Sequence, residues 1–129
     1  MARLFSGAIV AIVALAAAPA HATEFLRAIE DVPLVSGLIE QTEPVIFESD
    51  QGRVIRTQAE GHVDGASVSS FYVAALPGLG WKRVASPDEL AFERENEVLR
   101  ISVRAPASNS PVRVQFELIV KLASTRLPD

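Results

Sequence analysis

The stretch Ala66-Ser-Val-Ser-Ser-Phe-Tyr-Val-Ala-Ala-Leu-Pro-Gly-Leu-Gly-Trp81 decides the fold, because it alone in the body of the chain carries a helical period. Val68, Phe71, Tyr72, Ala75, Leu76 and Leu79 recur at three- and four-residue spacing, which is one stripe of an α-helix. Asp64 or Ser67 is placed to cap its start with a side-chain oxygen. Pro77 disfavours helical geometry at Leu76 and lacks an N–H, so the helix is expected to end near Leu76. Gly78 and Gly80 then permit a sharp turn into Trp81, the single tryptophan, whose ring can close one end of a core if its N–H finds a partner.

On both sides of this helix the period changes to two. Upstream, Val45-Ile-Phe-Glu-Ser49 and the segment from Arg53 to Val63 read as a hairpin about Asp50-Gln-Gly52. Ile55, Thr57, Ala59, Gly61 and Val63 fall on one side, expected to lie under the helix, and Val54, Arg56, Gln58, Glu60 and His62 on the other. Downstream, Trp81 to Ala85 makes a short strand. Leu90 to Arg94 and Val98 to Arg104 form a hairpin about Glu95-Asn96, with Leu90, Phe92, Leu99, Ile101 and Val103 inward. In the last strand Val112, Val114, Phe116, Leu118, Val120 and Leu122 alternate with Arg113, Gln115, Glu117, Ile119 and Lys121. The order β-β-α-β-β-β-β with short connections predicts an α+β, two-layer fold: one main helix packed on an antiparallel sheet of about six strands.

The front of the chain reads differently. Arg3, the apolar run Leu4 to Ala18 and the small-x-small triplet Ala20-His21-Ala22 predict a signal peptide over residues 1–22, cleaved after Ala22, and hence a periplasmic or secreted protein. The run falls short of the roughly 20 residues of a membrane span, and no later segment is long and apolar enough for one. Residues 23–43 read as an N-terminal lead and arm: 23–30 flexible or weakly helical, and 31–43 extended and laid on the core through Leu34 and Leu38. Residues 44–123 form a single domain, followed by a tail at 124–129. With no cysteine in the chain there is no disulfide, thiolate or lipidation site. The formal charge of −4 becomes one unit more negative when Arg3 leaves with the signal, which argues against nucleic acid as a partner.

The signature Phe71-Tyr72-x3-Leu76-Pro77-x-Leu79-Gly80-Trp81, preceded by Asp31-Val-Pro-Leu34, resembles a group of small exported proteobacterial proteins of uncharacterised function. The resemblance spans residues 31 to 121 and implies a secreted α+β domain. It carries no catalytic residues.

A nucleophilic site would combine His62, Asp64 and Ser67, or Ser69 or Ser70, in a small hydrolase. Against it, Asp64 and the serines are residue types that start helices, and a lone histidine on a polar strand face ordinarily meets water. No cofactor or metal is expected: the carboxylates lack zinc or calcium spacing, Glu93, Glu95 and Glu97 form a solvated hairpin tip, and Gly78-Leu-Gly80 leaves a helix where a phosphate loop would enter one. The face away from the helix carries Val54, Arg56, Val98, Arg100, Arg113 and Ile119, apolar points among arginines that could receive a partner, a second copy or the arm. The expectation is a non-catalytic exported binding module whose partner is an envelope protein or a small ligand.

Overall fold

A computed structural model describes residues 24–41, 43–105 and 109–122. The signal-peptide reading of 1–22 and the tail 124–129 lie outside the described residues. The elements are β1 (Ile39–Glu40), β2 (Val45–Ser49), β3 (Gly52–Gly61), α1 (Gly65–Ala75), a 3-10 turn (Leu76–Leu79), β4 (Lys82–Val84), β5 (Leu90–Arg94), β6 (Glu97–Arg104) and β7 (Val112–Lys121). The class is α+β with a wholly antiparallel sheet, ordered β1-β3-β7-β6-β5-β4, with β2 also paired to β3. Among the described residues there are seven strands where the sequence predicts about six. The addition is β1, two residues of the arm that pair with Ala59 and Glu60.

Local chemistry sets the helix boundaries. Asp64 is the N-cap, its Oδ2 accepting from the Ser67 N–H at 3.1 Å and from the Ser67 hydroxyl at 2.7 Å. These bonds to Ser67 hold its carboxyl below the ordinary carboxylate value. The α-helix stops at Ala75, and Pro77 sits in the 3-10 turn that follows. Gly80 (φ 91°) then takes the left-handed conformation that a Cβ would strain, closing the turn with bonds to the Leu76 and Pro77 carbonyls.

Val68, Tyr72 and Leu76 are buried, while Phe71 is half-buried and Leu79 is exposed, so the stripe is narrower than its period implies. The Tyr72 ring meets Phe116 of β7 edge-on at 5.6 Å. The sheet's inner side is lined by Ile55, Ala59, Phe92, Leu99, Ile101, Val114, Phe116 and Leu118.

The arm covers the rest of that face. Segment 24–34 folds into a tight loop, with Leu26 N–H bonded to the Val32 carbonyl (2.9 Å) and Leu34 N–H to the Glu24 carbonyl (2.7 Å). Leu26, Ile29, Val32, Leu34 and Leu38 are all buried in the same core as the helix. The expected flexible or weakly helical lead is therefore an ordered part of the core, because Leu26 and Ile29 gain about 1.5–3 kcal/mol each from burial. The Tyr72 hydroxyl donates to the Pro33 carbonyl at 2.8 Å, fixing helix to arm, and burial pushes that hydroxyl's pKa well above its ordinary value. The buried part of the arm, Leu26 to Leu38, thus lies on the helix side of the sheet, while Ile39 and Glu40 pair along the β3 edge and Gln41 and Glu43 reach the outer side there, so the arm does not cover the apolar points of the outer face.

The arm crosses β3 at Gly61, where a Cβ would collide with the Gly37 carbonyl oxygen. Gly61→Ala should lift the arm and cost on the order of 2–3 kcal/mol, measured as a loss of urea stability. An unchanged midpoint would mean that the arm does not close on the sheet there.

Candidate binding face

Strand register builds the outer face in rows. Directly opposed residues of an antiparallel pair project to one side, so the pairings Phe47 with Val54, Val54 with Ile119 and Ile119 with Val98 make one apolar row across β2, β3, β7 and β6. Val54, Ile119 and Val98 are half-buried by their neighbours, and Phe47 is 55% exposed. The row ends at Glu93 on β5, which pairs with Lys82 on β4.

The neighbouring row runs Val45, Arg56, Glu117, Arg100, Ala91. Glu117 accepts from Arg56 at 2.6 Å and lies 3.8 Å from Arg100, which also lies 3.6 Å from Glu89. The Ser102 hydroxyl donates to Glu89 at 3.1 Å. These groups, with Gln115, line a polar cleft of about 310 Å³. Further along, Arg113 donates to Glu60 at 2.9 Å. Beside the apolar row a second cleft of about 360 Å³ opens between Gln41, Glu43, Val45, Phe47, Arg56 and Gln58, in the gap along β3's edge between β2 and β1 that the Gln41 N–H bond to the Gln58 carbonyl (2.6 Å) partly closes.

All six residues expected on this face are on it, and the structure brings Val54, Ile119 and Val98 into line. It changes the meaning of the arginines. Arg56, Arg100 and Arg113 each face a carboxylate of a neighbouring strand, so these three present neutralised pairs, with exposed Arg104 beside Arg113 at the edge of the set. Phe47 and Val45 were not assigned to the face. Their positions follow from the hairpin loop being the two residues Asp50 and Gln51, with Ser49 opposite Gly52.

The hydrolase alternative is placed as well. Asp64 and Ser67 do meet, as the helix cap. His62 is exposed on the bend after β3, off the strand, and among the described residues makes no hydrogen bond to either. No group of three or more His, Asp or Glu side chains converges as a metal site among the described residues. No helix there is long and apolar enough to cross a membrane.

Comparison with family models, with curated proteins and with solved structures gives no match.

Because the Glu117 pairs are partly solvated, Glu117→Gln should cost at most about 1 kcal/mol in chemical denaturation. A loss several times larger would make the ion-pair network a structural element and no mere flank to the apolar row.

Proposed function

We propose that this protein is an exported, non-catalytic binding module that receives an envelope protein or a small ligand on the outer sheet face. In this reading the fold is two-layered, with α1 and the arm as one layer and the sheet as the other, so the outer face is the free surface. The observation that carries the reading is the row Phe47, Val54, Ile119, Val98, contiguous across four strands and flanked by mutually neutralised arginines and glutamates. A half-exposed apolar line with a polar, charge-balanced rim is the composition of a recognition surface. Export is supported by Arg3, the run Leu4 to Ala18 and the Ala20-x-Ala22 triplet.

Two measurements test this. Protein recovered from the periplasm should have the intact mass of a chain beginning at Thr23, and a membrane-bound species retaining residues 1–22 would show an anchor instead. Replacing Val54, Val98 and Ile119 together by threonine keeps β-forming residues while removing the apolar line. That variant, with its thermal melt close to wild type, should lose the envelope species that wild type captures by crosslinking in cells. Unchanged capture, with His62→Ala abolishing the biological effect in a folded protein, would instead favour the hydrolase.

A further inference from the structure

Strand β2 breaks the pattern every longer strand obeys. All five of its residues are exposed, and its apolar residues point to both sides: Val45 (51% exposed) and Phe47 (55%) outward, Ile46 (45%) inward beyond the reach of the core. It pairs with β3 along one edge only, and its other edge has no strand among the described residues. The two-residue loop is closed by the pair Ser49 and Gly52, and hydrogen-bonded and non-bonded pairs alternate from there. Val45 and Phe47 therefore spend their backbone groups on β3, while Ile46 and Glu48 direct theirs to the bare edge. A surface laid on one face would cover Val45 and Phe47 or Ile46, never all three. Only a strand added to the edge covers both sides and satisfies the backbone.

We infer that the added strand is β2 of a second copy of this chain, paired antiparallel about a two-fold axis at Phe47. This register exchanges backbone bonds between Ile46 and the second copy's Glu48, and sets Phe47 against Phe47, Val45 against Ser49 and Pro44 against Asp50. Segment 43–50 carries Glu43, Glu48 and Asp50 with no lysine or arginine, yet in this register each carboxylate faces an uncharged residue. A parallel, in-register pairing would set them against one another. Pro44, with no N–H, ends the ladder on each side. The same register aligns the apolar row of one copy with that of the other. Phe47 meets Phe47, and Val98, Ile119, Val54 and Phe47 continue into their symmetry mates as one line on one face of a continuous sheet. The pairing stands independently of the envelope partner proposed above.

Sedimentation of protein purified from full-length expression should show a concentration-dependent species of twice the monomer mass. Its dissociation constant should fall as salt rises, since carboxylates of both copies gather at the joint and Arg53, 3.5 Å from Glu48, offsets only part of that charge. Phe47→Glu, an exposed change that should leave the melt intact, should weaken the dimer at least about tenfold by setting two further carboxylates against each other on an axis already flanked by acidic residues. Mixing that variant with Phe47→Lys should restore a heterodimer, because lysine then faces glutamate. The inference is overturned if wild type stays monomeric to millimolar concentration, if Phe47→Glu associates as tightly as wild type, or if its mixture with Phe47→Lys is not rescued.

Discussion

One helix cannot cover this sheet, and the rest of the structure follows from that shortfall. An α-helix with its side chains is about 10 Å across, whereas six strands spaced about 4.8 Å apart span more than twice that. The rest of the inner face would be left in water. The chain solves this with sequence placed before the sheet: Leu26, Ile29, Val32, Leu34 and Leu38 descend from the arm into the core that holds Val68, Tyr72 and Leu76. Tyr72 is the joint, since its ring rests on Phe116 and its hydroxyl satisfies the Pro33 carbonyl. Burying that carbonyl unpaired would cost about 1–3 kcal/mol, so an aromatic with a hydroxyl suits the position better than one without.

A second joint closes the opposite end. The Arg94 guanidinium lies 4.2 Å from the centre of the Trp81 ring, bonds Asp31 of the arm and Glu97 of β6, and donates to the Leu79 carbonyl at the end of the 3-10 turn. Burial alone would lower its pKa, but the bonds to Asp31 and Glu97 outweigh that and raise it, so the cation persists. Trp81 is held through the face of its ring, and its buried N–H has no partner among the described residues. A planar cation that stacks and bonds at once does here what a lysine could not. One side chain thereby ties arm, turn and two strands together.

How much of this was legible depends on whether the information is local. The Asp64 cap, the stop at Pro77, the turn at Gly80 and the alternation of β7 are written in neighbouring residues, and each element stands where its residues place it. The arm was legible only at Leu34 and Leu38. Leu26 and Ile29 are ordered by tertiary burial in a segment with no period of its own, and propensity carries no trace of that. The outer face was legible as a set of residues but not in its extent. Had Asp50-Gln-Gly52 been a three-residue loop, Ser49 would face Arg53 and Phe47 would face Ile55, on the core side. A one-residue slip exchanges the two faces of a strand, and here it decides whether Phe47 belongs to the core or to the outer apolar row. The role of Glu117 was hidden for the same reason: that it lies between Arg56 and Arg100 is a fact of register across three strands.

Folding accounts for nearly every strand, and the exception is informative. β3, β5, β6 and β7 bury one side, while Arg56, Glu60, Arg100, Arg113 and Glu117 on their outer side find partners across the ladder. β2 buries neither side, and its Val-Ile-Phe sequence favours extended structure with no core to enter. Exposed edges of this kind are ordinarily blunted by charge, proline or a bulge. Here Glu43, Pro44, Glu48 and Asp50 flank the apolar triplet without interrupting it, so they restrict the length and register of what can pair and leave the pairing edge open. A sequence shaped only for solubility would place one of those charges at position 46 or 47. That it does not is the reason the edge reads as a site, and the reason the outer row, which ends on Phe47, points toward it.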